Sequence, residues 1–139
     1  LILSQFLKQQ KAQRGYYFDP KFFLYCEDVD LSLSAQNLGY QTLVTQEARA
    51  RHRVSVSGGG AGNPYALYYI TRNRLYLVRK WWSKYFLIFA IYYVGTRFIF
   101  QGWRWIRGVS KKYRFAVWEG IKDGMGDVTG KWKLHDSNF

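Results

Sequence analysis

The sequence predicts a mixed α/β first half joined to a basic, aromatic, helical second half. Three observations carry that prediction. Short apolar runs bounded by turn signals alternate with one polar and one amphipathic helical stretch as far as Asn63. A Gly-rich stretch, residues 57–62, then interrupts the pattern. From Tyr65 onward, apolar and aromatic residues recur at spacings of three and four. With 139 residues, the chain has the length of one ordinary domain and enough material to bury a core. The natural division falls between residues 1–63 and residues 64–139.

The elements follow in order. Leu1, Ile2 and Leu3 read as the end of a strand. Ser4 is an N-cap for a short polar helix over residues 5–13, which Arg14-Gly15 stops. Asp19-Pro20 marks a turn before the apolar run 22–25, which reads as a strand. The next helix covers residues 27–37, with Val29, Leu33 and Leu38 near one face and Gly39 as its terminator. Residues 40–45 and 48–56 read as strands, the second alternating small or apolar residues with Arg49, Arg51 and Arg53. Asn63-Pro64 supplies an N-cap and a proline in the first helical position. A helix follows through Tyr65, Tyr68, Tyr69, Arg72, Leu75 and Tyr76, with further helical stretches over residues 84–107 and 111–125.

Charge is unevenly spread. Residues 1–63 hold seven Lys and Arg against five Asp and Glu, net +2; residues 64–139 hold fourteen against four, net +10, and all six tryptophans. A basic, Trp- and Tyr-rich half suits a polyanionic surface, either nucleic acid or an anionic lipid leaflet. The uncharged run 85–96 is twelve residues long, short of the roughly twenty a bilayer-spanning helix needs. Trp81, Trp82, Trp103 and Trp105 bracket it, with Lys80, Lys84, Arg104 and Arg107 nearby. Aromatics and cations at both ends of a short apolar helix describe a segment lying in a membrane interface; the alternative is a helix pair packed on another part of the protein. One cysteine, Cys26, excludes an internal disulfide and a cysteine-based zinc site. The chain opens on Leu1 and its one methionine is Met125, so it reads as the later portion of a longer protein.

The chemistry concentrates in residues 22–30, Phe-Phe-Leu-Tyr-Cys-Glu-Asp-Val-Asp. Glu27, Asp28 and Asp30 are three carboxylates within four positions, directly behind an apolar run. Charges held beside buried apolar residues are costly to desolvate, so they have either a polar partner or a chemical role. The same residues also fall in the first turn of a helix, where the dipole favours negative charge. Read alone, they are capping charges first, since acidic first turns are common, and a general base or metal ligands second.

The wider phrase, residues 14–33 (RGYYFDPKFFLYCEDVDLSL), resembles the acceptor-side segment of family 2 glycosyltransferases of the rhamnosyltransferase-like kind, whose pattern runs F-D-x-x-F-F-L-Y-x-E-D-x-D-L-x-x-R. The likeness continues through Gly39-Tyr40, residues 48–52, the Gly-rich loop, residues 68–74 (YYITRNR) and residues 120–124 (GIKDG). It implies the C-terminal half of a GT-A fold, an α/β architecture, in residues 1–63, followed by a helical, membrane-associating tail in residues 64–139. It also implies an inverting transfer of a sugar, rhamnose for example, from a nucleotide-sugar to a lipid-linked or polysaccharide acceptor at the cytoplasmic face of the membrane. Asp28 aligns with the family's general base, and Glu27 and Asp30 would orient the acceptor or hold the Asp28 loop. The chemistry needs a carboxylate to take the acceptor's proton and a cation for the leaving diphosphate. The resemblance therefore implies a divalent metal, Mn or Mg.

His52 is either a structural residue on its strand or, as matching family positions suggest, a contact to metal or diphosphate. Residues 57–62 resemble a phosphate-cradling loop without the Lys-Ser/Thr of a Walker motif, and Ser57 enters as a substrate-binding candidate. The alternative there is a linker. Arg72 and Arg74 are candidates for the diphosphate, against a solvated basic face. Two departures from the family stand out. The donor-side half with its D-x-D metal motif is absent, so the nucleotide-sugar would be bound mainly elsewhere. Ser34 also stands where relatives place Arg. The rival class is a non-enzymatic basic module for anionic membrane or nucleic acid. Long aliphatic runs such as residues 86–91 weigh against the nucleic acid.

Overall fold

A computed structural model of the chain describes residues 4–43, 46–47, 63–108 and 110–132. Their regular structure comprises α1 (Ser4–Arg14), α2 (Glu27–Asn37), α3 (Pro64–Trp81), a 3-10 turn (Ser83–Tyr85), α4 (Phe86–Ile106) and α5 (Lys111–Met125). No strand occurs among the described residues. This overturns the α/β expectation and, with it, the GT-A half: the described fold is all-helical. The strands expected over residues 1–3 and 48–56 lie outside the described residues, as do Thr45 and its neighbour Val44.

The physical reason is plainest at residues 22–25. Phe22 is buried as expected, Leu24 and Tyr25 are partly buried and Phe23 is half exposed, and the backbone is not extended. Phe23, Tyr25 and Cys26 adopt φ of 60°, 65° and 69°, the left-handed region that non-glycine residues rarely enter. The carbonyls a strand would offer to a neighbour turn instead toward α3. The Asn73 amide nitrogen lies 3.0, 2.6 and 2.8 Å from the carbonyl oxygens of Phe22, Leu24 and Tyr25. One helix side chain thus satisfies groups that would otherwise need a sheet. Phe22 is fully buried, edge-on to Tyr76 at 4.9 Å, and Phe23 stacks on Tyr69. Residues 40–43 are likewise irregular.

The helix expectations fare better. α2 and α5 occupy their expected ranges, and α3 opens as Asn63-Pro64 requires, the Asn63 side chain accepting from the Tyr65 backbone N–H at 2.9 Å. α2 closes at Gly39, whose φ of 82° turns the chain so that the Tyr40 N–H reaches the Ala35 carbonyl at 2.9 Å. The helix expected over residues 84–107 is α4, entered through the 3-10 turn that follows the end of α3 at Trp82.

α3 is the axis of the molecule. α5 lies along it through Ala116, Gly120 and Gly124, one residue per turn, all buried. The approach is so close that a Cβ on Gly120 would stand 2.7 Å from the Tyr68 carbonyl oxygen, and one on Gly124 3.0 Å from that of Arg72. Small residues at this spacing let the two helix backbones meet. Trp132 closes the first core cluster, stacked on Tyr68 at 4.2 Å. At the other end of α3, Leu75 packs with Ala90 and Tyr93 of α4. Phe98 of α4 meets Trp118 of α5 edge-on at 4.2 Å. α1 is tied to the end of α2 by Phe6 against Tyr40 and by the Tyr40 hydroxyl donating to Gln9 at 3.1 Å.

Candidate functional site

Three carboxylates that adjoin in sequence part company in space. Residues 23–26 coil tightly under the grip of Asn73, and Cys26 delivers the chain into the first turn of α2 without a capping side chain. Asp30 then points into the protein. It is 1% exposed; its carboxylate accepts from the Lys80 ammonium at 2.8 Å and from the Trp81 indole N–H at 2.7 Å. The same ammonium donates to Asp19 at 2.7 Å. Asp19 also accepts from the Tyr76 hydroxyl at 3.1 Å and from the Lys21 backbone N–H at 3.0 Å. One lysine thus bridges two buried carboxylates, locking the end of α3 to the turn before α2 and to α2 itself.

The titration of this clamp follows from its surroundings. Burial pushes Asp19 upward, but the Lys80 ammonium, the Lys21 N–H and the Tyr76 hydroxyl outweigh it and hold the carboxyl below its ordinary value. For Lys80, burial works downward, and the hydrogen bonds and charges of Asp19 and Asp30 outweigh it, holding the ammonium above its ordinary value. Burial above all, with Asp28 and Glu27 assisting and Arg74 opposing, lifts the Cys26 thiol to about 11.

Asp28 takes the opposite course. It is exposed, and its carboxylate accepts a single hydrogen bond from the described residues, from the Val29 backbone N–H at 2.8 Å. It stands on the wall of a cleft of about 380 Å³ between α1, α2 and residues 40–43. Phe6, Phe18, Leu31 and Ala35 make the apolar wall; Ser32 and Tyr40 add hydroxyl-bearing side chains. Asp28 is the one acidic residue among the cleft's described lining. A mostly apolar concavity of this size with a single convergent carboxylate suits a small or saccharide-sized ligand. Glu27 sits outside the lining; its Oε2 is buried without a hydrogen-bond partner among the described residues.

The two arginine candidates divide as well. Arg72 is 1% exposed and its guanidinium belongs to the framework. Nε donates to the Asn73 side-chain oxygen at 2.9 Å, Nη1 to the Gly130 carbonyl at 2.6 Å, and Nη2 to the carbonyls of Lys21 and Phe22 at 3.2 and 2.8 Å. The rings of Tyr68 and Tyr69 lie within 5.4 and 4.8 Å of it, so carbonyl dipoles and aromatic faces solvate the charge. Arg74 is exposed, on the side of α3 that bears on Cys26. His52 and Ser57 lie outside the described residues. Among the described residues no three His, Cys, Asp or Glu side chains come together as metal ligands. Asp30 and Asp19 hold Lys80 between them.

Sequence reasoning missed Asp19, Asn73, Lys80 and Trp81 as the residues that fix the site. Asp19 reads as a turn residue, and Lys80 and Trp81 as part of a polybasic, aromatic flank. Each acts through partners about fifty positions away, which no local spacing reveals. None of the protein-family models, curated proteins or solved structures compared with the chain matches it.

Proposed function

We propose that this chain supplies the acceptor-side general base of an inverting glycosyl transfer, with Asp28 as that base. The observation that carries the reading is the contrast between neighbouring carboxylates. Asp30 is buried and neutralised by Lys80, while Asp28, two positions away, opens onto the cleft with one carboxylate oxygen free of hydrogen bonds among the described residues. The resemblance of residues 14–33 to the acceptor-side phrase of family 2 glycosyltransferases adds the reaction class. The reading does not call on a sheet, nor on a metal held by the described residues.

The proposed step is simple in its atoms. An acceptor hydroxyl in the cleft donates to Asp28 as its oxygen bonds to the anomeric carbon of a nucleotide-sugar. The carboxylate becomes a carboxylic acid, and the nucleoside diphosphate departs from the opposite face with the bonding pair. Positioned proton transfer of this kind contributes about 10² to 10⁴ in rate. Phe18, half exposed at the cleft, and Tyr40 provide ring faces against which the C–H face of a saccharide rests. Asp30 holds α2 to the end of α3 in this account, and Glu27 is a positioning residue. The test is sugar transfer by the full-length protein carrying Asp28→Asn, against a panel of UDP-, GDP- and dTDP-sugars. The reading expects a fall of two orders of magnitude or more in kcat for the donor that wild type uses, and transfer at the wild-type rate overturns it.

A further inference from the structure

The surface of α4 is inverted relative to that of a helix facing water. Its exposed sector runs the length of the helix through Leu87, Ile88, Ile91, Phe98, Ile99 and Ile106, with Ile99 77% and Ile106 80% exposed. No charged residue falls in that sector. The two arginines of α4, Arg97 and Arg104, sit on the packed side, over the rings of Tyr93 and of Tyr113. Solvent-facing helices place charge outward and apolar residues inward; here the outward face is the apolar one. At about 1.5 Å per residue, its 21 residues form a strip roughly 32 Å long. Contiguous exposed apolar surface of this extent marks an interaction site.

Both ends of the strip carry an aromatic ring under a cation. Lys84 lies over Tyr85 at 4.8 Å at one end, and Arg107 over Trp103 at 3.8 Å at the other. Exposed Trp105, Lys111 and Lys112 extend the second cluster. No Asp or Glu occurs anywhere between Glu47 and Glu119.

We infer that α4 lies in the plane of an anionic lipid bilayer, with its Leu87–Ile106 face immersed among the acyl chains. Aromatic rings then sit at the headgroup level and Lys84, Arg107, Lys111 and Lys112 meet lipid phosphates. The charges choose this occupant. A second copy would bring its own cations against these, and a nucleic acid would find a strip with no cation along its middle. No helix among the described residues is long and apolar enough to cross a membrane, which leaves the in-plane arrangement. The inference stands on α4 and its flanks and is independent of the role given to Asp28.

Flotation of the full-length protein with vesicles of phosphatidylcholine alone, or of phosphatidylcholine mixed with anionic phosphatidylglycerol, tests it. Wild type is expected to float with the anionic vesicles and at least tenfold less with the neutral ones. The double variant Ile91→Glu, Ile99→Glu should lose vesicle binding at least tenfold, with its Tm unchanged because neither side chain packs on the core. Lys84→Glu with Arg107→Glu should erase the preference for anionic lipid. Bromine-labelled acyl chains should quench Trp103 and Trp105. Equal flotation of wild type and the Ile91, Ile99 double variant overturns the inference. So does a dimer of wild type that forms without lipid and dissolves in that variant.

Discussion

Replacing Lys80 with methionine tests the clamp that sets the two carboxylates of the site apart. Lys80→Met keeps most of the stem's volume and removes the ammonium, which stands 2.7 Å from Asp19 and 2.8 Å from Asp30. The side chains of Asp19 and Asp30 are 4% and 2% exposed, so neither can turn to water for compensation. Removing one partner of a buried ion pair costs about 3–5 kcal/mol. Here the remaining donors, Tyr76, the Lys21 N–H and the Trp81 indole, place the expected loss at the lower end, about 3 kcal/mol at pH 7. The pH dependence gives a second handle. Asp19 is depressed in the folded protein, so its contribution is full above the carboxyl's unfolded value and is lost as pH falls through the folded one. Lys80 is raised, so its contribution is full below its unfolded value and is lost as pH rises through the folded one. Wild type is therefore expected to be most stable between about pH 5 and pH 9, losing stability on both sides. In Lys80→Met, Asp19 loses the ammonium that holds its carboxyl down and sheds its unpaired charge by protonating, so the gap to wild type narrows as pH falls from 7 to 4. Urea denaturation across this range measures both effects. A loss under about 0.5 kcal/mol at pH 7, the size of a surface pair, refutes the clamp, as does a gap that widens toward acid.

The α3–α5 contact predicts opposite outcomes for two glycines. Gly120→Ala sets a methyl 2.7 Å from the Tyr68 carbonyl, so overpacking of about 1–3 kcal/mol outweighs the gain in helix propensity, and thermal melting should show a lower Tm. Gly95→Ala on α4 meets no atom within 4 Å and should raise stability by about 0.5–1 kcal/mol. Cys26, with its thiol lifted to about 11, should react with iodoacetamide at pH 8 about two orders of magnitude more slowly than a free cysteine, with the rate still climbing above pH 10. A rate matching free cysteine would show that residues 23–26 are not coiled beneath Asn73 as described.

What the sequence made legible was whatever local spacing dictates. The acidic first turn of α2, the Asn63-Pro64 start of α3, the Gly39 stop and the extent of α5 all follow from side chains within four positions of one another. The run at residues 22–25 did not, because its apolar composition fits a strand and a tight turn anchored by Phe22 equally well. Asn73 and Arg72 decide between the two, and they lie about fifty residues downstream. The same distance separates Asp30 from Lys80, so three adjacent carboxylates read as one cluster although the fold buries one of them and presents another to a cleft. Arg72 shows the same lesson from the other side. A helical arginine among tyrosines reads as a solvated basic face or a diphosphate contact until Gly130, Lys21 and Phe22 are seen to receive its N–H groups.

The claim at the centre of this account is that Asp28 performs chemistry while Asp30 holds structure. Side-by-side kinetics and denaturation of Asp28→Asn and Asp30→Asn in the full-length protein test it most directly. The account predicts that Asp28→Asn leaves the unfolding free energy from urea denaturation within about 0.5 kcal/mol of wild type, as exposed substitutions do, while kcat falls at least 10²-fold. It predicts that Asp30→Asn loses about 1–3 kcal/mol of stability by unpairing Lys80 and Trp81, yet retains most of its kcat at temperatures where it stays folded. An Asp28→Asn protein that transfers sugar at the wild-type rate, or a fall in kcat for folded Asp30→Asn as deep as that for Asp28→Asn, would contradict it.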